Sequence, residues 1–198
     1  MAFLFSVPGV SKLIIGDSMI RDVGSIPRTR VICKRGVTLR TLSQCLFADY
    51  DHIIRKTEVT IVLAGTNDID SCSVSELMEI VESIADKFRG SYTGHIGFGT
   101  IIPRPKDNKF MAEKVKAYNK ELMAWCHDCC CVCLRTHSPF LKGGRPRRSL
   151  FNKGLLHLRA RGPFPSGSYI LYNFLKSELS DRTLLRRIRE VEHRFFGI

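Results

Sequence analysis

Short apolar runs alternate with helical patterns along most of the chain. Five runs are rich in β-branched or apolar side chains and have the length of strands. These runs are 12–15, 30–33, 58–64, 95–102 and 130–134. The run 58–64 is apolar at successive positions, which is typical of a central strand with both faces covered.

Helical segments lie between and after these runs. Ser73 and Glu76 have the spacing of a capping box and predict the start of a long helix. Apolar positions recur at helical spacing in four further segments, 41–54, 109–125, 168–179 and 183–196. The segment 136–165 is rich in proline, glycine and basic residues, which predicts an irregular loop.

Strands that alternate with helices predict an α/β protein. We expect a three-layer α/β/α sandwich of the flavodoxin-like type, with a five-stranded parallel sheet. The 198 residues suffice for one domain with a sizeable core. The pattern places this domain at 1–180 and adds a basic helical extension at 181–198.

Polar and small residues follow the predicted strands where ligands bind in open parallel sheets. Ser18 comes directly after the first strand, where it is expected to open a helix. Gly36 follows the second strand, and Asn67 follows the third. His157 precedes the last helix of the predicted domain. The carboxyl ends of parallel strands meet at one rim, so these four residues are candidates for one site.

Each of these residue types has a use in acyl transfer. A serine hydroxyl becomes an effective nucleophile when a base such as histidine takes its proton. Backbone N–H groups and an asparagine amide can stabilise the oxyanion of a tetrahedral intermediate. The candidates are therefore Ser18 and His157 as catalytic residues, with the backbone of Ser18 and Gly36 and the side chain of Asn67 as an oxyanion hole.

Four short motifs carry a resemblance to a known family. GDS at 16–18, the isolated Gly36, GTND at 65–68 and LHLRARG at 156–162 resemble conserved blocks of the SGNH (GDSL-type) hydrolases. The last block is similar to that of esterase domains in some retrotransposons and other mobile elements. The resemblance extends from about residue 13 to 179. It implies a serine esterase that acts on an acetyl or short acyl ester and needs neither cofactor nor metal.

The chain departs from the family at one position. The family usually has an aspartate three residues before the histidine, where this chain has Gly154. Asn152 is the nearest polar candidate for the role of this acid, but it is neutral and does not have the family's spacing. A backbone carbonyl can replace part of the role in a Ser-His dyad. Loss of the acid favours a second hypothesis, a weakened or inactive module of the same fold that binds nucleic acid or a protein partner.

The charge of the chain gives this alternative some support. The formal net charge is +12, which favours binding to nucleic acid or another polyanion. Basic residues cluster at 142–161 and 182–194. The arginines that we expect to contribute are Arg145, Arg147, Arg148, Arg186, Arg187 and Arg189.

Other sites and locations receive less support from the sequence. Cys126 and Cys129 have the spacing of zinc ligands, but the alternation of cysteines after them predicts buried thiols on a central strand. The glycines of 94–99 lie inside a predicted strand, which excludes a dinucleotide fingerprint. No apolar run approaches the roughly 20 residues of a membrane span. We expect an intracellular protein with reduced thiols.

Overall fold

The computed structural model describes residues 12–129, 131–155, 157–160 and 166–196. The chain forms a five-stranded parallel sheet, six α-helices and a short β-hairpin within these residues. The strands of the sheet are β1 (Lys12–Gly16), β2 (Thr29–Cys33), β3 (Val59–Leu63), β4 (His95–Gly99) and β5 (Val132–Leu134). The helices are α1 (Leu39–Asp49), α2 (Asp51–Ile54), α3 (Val74–Ser91), α4 (Lys109–Asp128), α5 (Gly167–Glu178) and α6 (Asp181–Phe196).

The sheet has the strand order β2-β1-β3-β4-β5. Strand β1 pairs in parallel with β2 and β3, so that Ile14 is opposite Val31 on one side and Ile61 on the other. This arrangement confirms the predicted five-stranded parallel sheet and places β3 at its centre. The prediction that the last strand is central was wrong, because β5 pairs only with β4 among the described residues and lies at the edge.

Alternate residues of β1 belong to different apolar cores. Leu13 and Ile15 pack with residues of α1, α3 and α4 on one face of the sheet. Ile14 packs with residues of α5 and α6 on the other face. The period-two alternation of side chains along a strand therefore produces the three layers that the sequence predicted.

Polar side chains fix the beginnings of four helices. Ser73 and Glu76 form the predicted capping box of α3, with the Ser73 N–H donating to Glu76 at 2.7 Å. Thr38, Asn108 and Ser166 accept backbone N–H bonds at the start of α1, α4 and α5. Each cap satisfies donors that the first turn of a helix leaves without an internal partner.

Three predicted elements differ from the structure. The single helix predicted at 41–54 is two helices, because the backbone turns at Tyr50 and α2 restarts from its carbonyl. The strand predicted at 95–102 ends at Gly99, opposite the last paired residue of β5, Leu134. The segment predicted as an irregular loop contains a hairpin of β6 (Leu141–Lys142) and β7 (Arg145–Pro146).

The last helix packs against the sheet. Leu184 and Ile188 are buried in the same core as Ile14. The proposed division into a domain and an extension stays a prediction. None of the helices in the described ranges combines the length and apolar character that crossing a membrane requires.

Candidate active site

The turn that carries Ser18 begins where β1 ends. The Asp17 carboxylate accepts the backbone N–H of Met19 at 2.9 Å and caps a single 3-10 turn, Ser18–Ile20. This short turn takes the place of the helix expected after the first strand. Ser18 is half-buried, whereas Asp17 is fully buried. The turn thus presents the hydroxyl at the rim while the aspartate anchors the backbone below it.

His157 is carried by a narrow loop with antiparallel hydrogen bonds at its base. The N–H of Asn152 donates to the His157 carbonyl, and the N–H of Arg159 donates to the Leu150 carbonyl, both at 2.9 Å. Phe151 and Leu158 form an antiparallel bridge between these bonds. The backbone on both sides of His157 is therefore fixed relative to the sheet.

The structure brings Ser18 and His157 into contact. The Ser18 Oγ lies 3.3 Å from His157 Nδ1, although 139 positions separate the two residues in the chain. A neutral imidazole accepts a proton at one nitrogen while the other carries hydrogen. Nδ1 can accept from the Ser18 hydroxyl only in the tautomer that has its hydrogen on Nε2.

Asn67 lies beside the second candidate loop. Its Nδ2 donates to the Val37 carbonyl at 2.9 Å, one residue after Gly36. A primary amide has two N–H donors, so this bond orients the group and leaves a second donor. Gly36 has a φ of +68° and is exposed, a backbone conformation that favours glycine. Strand β1 lies between β2 and β3, so these two loops flank Ser18.

Two buried carboxylates hold the loops around the site. Both oxygens of Asp68 accept the N–H of Leu39, at 2.9 and 3.0 Å, and so tie the loop after β3 to the start of α1. Burial raises the pKa of Asp68. Burial also raises the pKa of Asp17 to about 6, despite the hydrogen bond from Met19. Within the described residues the Asp17 Oδ2 has no hydrogen-bond partner. Both residues hold the backbone of the loops through these hydrogen bonds.

No carboxylate forms an ion pair with His157 in the described part of the chain. Gly154, at the position of the family's aspartate, is exposed and has no positive φ. A Cβ atom built there would lie 3.5 Å from Asn152 Oδ1, which is ordinary contact. The left-handed residue in this loop is Leu155, with a φ of +53°.

One buried residue next to the site had no role in the sequence predictions. The guanidinium of Arg104 donates to the Thr66 carbonyl at 3.1 Å and to Asp70 at 2.6 Å. It also donates from Nε to Asp107 at 2.9 Å. The sequence marks Arg104 only by its position between Pro103 and Pro105, directly after the fourth apolar run.

The predicted basic residues differ in exposure. Arg145, Arg148, Arg186 and Arg189 are exposed, while Arg147 is half-buried and donates to the Pro139 carbonyl. Arg187 is turned into the protein, where it donates to the Cys133 carbonyl at 3.1 Å and pairs with Glu178. Among the described side chains, no three of His, Cys, Asp or Glu are grouped so that they could hold a metal ion.

The fold is shared with known hydrolases. The sequence has no significant match among protein-family models or curated proteins. A lipolytic protein of the G-D-S-L family from Veillonella parvula superposes with a TM-score of 0.70 at 13% identity, over 86% of this chain and 98% of that chain. A GDSL-like lipase from Bacteroides thetaiotaomicron gives a TM-score of 0.67 at 13% identity, over 91% and 89%.

A further match is the esterase domain of the ORF1 protein from the zebrafish ZfL2-1 retrotransposon. It is 22% identical over 88% of this chain and 98% of that chain, with a TM-score of 0.45. The two higher TM-scores show that this chain has the fold of the GDSL-type hydrolases, as the motifs predicted.

Proposed function

We propose that this chain, which shares the GDSL-type hydrolase fold, is a serine esterase that cleaves carboxylic esters with an acetyl or other short acyl group. The observation that carries the proposal is the 3.3 Å contact between Ser18 Oγ and His157 Nδ1. A hydroxyl and an imidazole at this distance form the nucleophile and base of acyl transfer. Their place at the carboxyl ends of the strands is where this class of sheet binds ligands.

The reaction proceeds through a covalent acyl-enzyme. His157 Nδ1 takes the proton as Ser18 Oγ attacks the ester carbonyl, and the imidazolium then protonates the leaving alkoxide. A water molecule next attacks the acyl-serine while Nδ1 takes its proton. Ser18 regains its proton as the carboxylic acid leaves. Every step uses the same nitrogen, which requires hydrogen on Nε2 in the resting state.

The oxyanion is stabilised by donors from three loops. The N–H of Ser18 is the first amide of its turn, where N–H groups lack internal partners. The N–H of Gly36 and the second N–H of the Asn67 amide complete the set. Removal of one such donor from a serine hydrolase costs about 10²–10³ in kcat.

The surroundings of the imidazole set the expected level of activity. In the described part of the chain no carboxylate pairs with His157, so the cation formed there relies on solvent and the surrounding dipoles. Loss of the orienting carboxylate from a Ser-His-Asp enzyme lowers kcat by about 10⁴. We therefore expect slow turnover, at a rate that is still above the uncatalysed reaction.

The test compares three forms of the purified protein. Wild type should release p-nitrophenol from p-nitrophenyl acetate, and Ser18→Ala should lose this activity. Ser25→Ala is the matched control, because Ser25 is an exposed serine seven residues away, and it should keep the activity. A fluorophosphonate should label wild type at Ser18, located by peptide mass spectrometry. Equal hydrolysis by wild type and Ser18→Ala, together with no labelling, would show that the chain is not a serine esterase.

A further inference from the structure

A buried cation holds the loop that carries Asn67. The Arg104 side chain is only 3% exposed, and its Nη1 donates to the Thr66 carbonyl. Nη1 and Nη2 also donate to the two oxygens of Asp70, at 3.1 and 2.6 Å. Arg104 therefore anchors Thr66, the residue directly before Asn67, and Asp70, the residue three positions after it.

The bond to Thr66 bears directly on the geometry of Asn67. The Thr66 carbonyl and the Asn67 N–H belong to one planar peptide unit. A donor that fixes this carbonyl fixes the rotation of the plane, and with it the direction in which the Asn67 side chain leaves the backbone. The tight turn here is also closed by N–H bonds from Asp68 and Ile69 to the Gly65 carbonyl, both at 3.1 Å.

Arg104 is itself held in place. Its Nε donates to Asp107, whose side chain is 4% exposed. The loop that carries Arg104 is fixed to α4, because the Asn119 amide makes two hydrogen bonds to the backbone of Ile101, at 2.8 and 2.9 Å. Two sets of buried hydrogen bonds, connected by the short segment 101–104, thus join α4 to the peptide plane of Asn67.

We propose that Arg104 is a positioning residue for Asn67, holding the amide where it donates to the oxyanion. This inference rests on the proposed esterase function. The two ends of Asn67 are fixed from opposite sides, the peptide plane by Arg104 and the side-chain amide by the Val37 carbonyl. Arginine suits this role because the several N–H donors of its planar guanidinium can bind a carboxylate and a carbonyl at the same time. The lysine ammonium is a compact point charge without this geometry.

A purely structural role predicts a different outcome. Disruption of a buried ion pair such as that of Arg104 with Asp107 destabilises a fold, because it leaves a buried charge without its partner. If Arg104 only stabilised the fold, its substitution would lower activity equally whether or not Asn67 were present. If it acts through Asn67, its effect should disappear once the amide is removed. A double-mutant cycle separates these cases.

The experiment compares wild type, Arg104→Lys, Asn67→Ala and the double variant, with p-nitrophenyl acetate as substrate. Arg104→Lys should lower kcat about tenfold with little change in KM, since the amide acts mainly on the transition state. In the Asn67→Ala background the same substitution should change kcat less than twofold. Arg55→Lys is the matched control, because Arg55 forms an exposed ion pair with Asp51, and it should leave kcat unchanged. An equal loss in both backgrounds, or no loss in either, would overturn the proposal.

A second variant covers the case in which Arg104→Lys does not fold. Asp70→Asn keeps Arg104 and Asp107, removes the charge of a side chain that is 60% exposed, and replaces one of the two oxygens that accept from Arg104 with an NH2 group. It should lower kcat in the same direction by a smaller factor, again only when Asn67 is present. A folded Asp70→Asn variant with the same loss in both backgrounds would count against Arg104.

NMR distinguishes failure of this inference from failure of the proposed function. The side-chain amide signals of Asn67 are assigned by their loss in Asn67→Ala. In Arg104→Lys they should shift and broaden, while those of the exposed Asn173 on α5 stay unchanged. If wild type showed no Ser18-dependent hydrolysis but these signals moved, the function would fail and the positioning would stand. Unchanged Asn67 signals would overturn the positioning whatever the activity.

Discussion

The backbone of Gly16 lies directly against the carbonyl group of Leu63. A Cβ atom built on Gly16 would be 2.1 Å from that oxygen, far closer than two non-bonded atoms can approach. Gly16 is opposite Leu63 in the parallel pairing of β1 and β3, and the next residue, Asp17, donates its N–H to the same carbonyl at 3.1 Å. The glycine of the GDS motif therefore allows the close approach of β1 and β3, the two strands that Ser18 and Asn67 follow.

Gly16→Ala should separate these strands and destabilise the fold by several kcal/mol, since the contact is with backbone that cannot move aside. Gly90→Ala is the matched control, because Gly90 lies in the last turns of α3 with nothing within 4 Å of its Cβ position. That variant should be unchanged or more stable by up to about 1 kcal/mol. Urea unfolding followed by circular dichroism compares the two, and a Gly16→Ala variant as stable as wild type would contradict the close approach.

Gly154→Asp should raise kcat. The position has room for a side chain and no positive φ, so the variant should fold as wild type does. A carboxylate near Nε2 of His157, the ring nitrogen that does not face Ser18, would stabilise the imidazolium. A hundredfold gain in kcat corresponds to about 2.7 kcal/mol of transition-state stabilisation. Lys153→Asp adds a carboxylate at the neighbouring exposed residue and changes the net charge even more, by two instead of one, yet it should give a smaller effect. A well-folded Gly154→Asp variant without a gain would show that this loop does not place residue 154 beside the imidazole.

The buried Asp17 should make stability depend on pH in an unusual direction. Burial raises the pKa of Asp17 from 3.8 to about 6, so the folded state binds this proton more tightly than the unfolded state does. The contribution favours folding fully below about pH 4 and is lost as the pH rises through about 6. The difference between these two pKa values corresponds to about 3 kcal/mol in the free energy of unfolding.

Asp17→Asn cannot titrate and should lack this dependence. The variant keeps an oxygen that can accept the Met19 N–H bond. The free energy of unfolding of wild type relative to Asp17→Asn should therefore rise as the pH falls from about 7 to 4. Urea titrations at a series of pH values measure the difference, in which the other carboxylates cancel. A difference that is constant with pH would mean that Asp17 is not buried as described.

The exposed arginines of α6 should contribute to any binding of nucleic acid. Arg186 and Arg189 are exposed, whereas Arg187 is engaged with Cys133 and Glu178 and is left unchanged in this test. Each phosphate contact on duplex DNA adds about 0.9 to the slope of log K against log salt. Arg186→Glu with Arg189→Glu should lower the slope by about 2.

The control for this measurement changes the net charge by the same amount at residues of other helices or loops. Lys56→Glu with Lys120→Glu alters two exposed lysines outside the basic clusters and should leave the slope nearly unchanged. Fluorescence anisotropy with a labelled oligonucleotide gives the affinities. If wild type did not bind at low salt, the positive charge would have another role than contact with nucleic acid.

Much of the fold was predictable because local signals agreed with one another. The apolar runs predicted all five strands of the parallel sheet, and Ser73 with Glu76 predicted the beginning of α3. Ser18 and Asn67 follow neighbouring strands, β1 and β3, and parallel strands all end at the same rim. The contact of His157 with Ser18 depends instead on a loop that follows no strand of this sheet. The resemblance to the GDS and GTND motifs assigned candidate roles to Ser18 and Asn67, and these roles stay predictions.

What could not be predicted depends on contacts between distant residues. Arg104 binds Thr66 and Asp70, which are 38 and 34 positions away, and no periodic pattern marks such a contact. The left-handed residue of the loop before His157 is Leu155 and not the nearby Gly154, although glycine adopts this conformation more easily. The edge position of β5 depends on the order of pairing, which its own sequence does not contain.

The position of α6 bears on whether two copies of the chain can associate through the edge of the sheet. The edge of a sheet exposes backbone groups that can recruit a strand from another molecule. At β5, the Cys133 carbonyl already accepts a hydrogen bond from Arg187, and Leu184 and Ile188 lie in one core with Val132 and Leu134. The last helix thus occupies one of the backbone groups that this edge could offer to another strand. A chain cut at Ser180 would expose that group and should self-associate more readily.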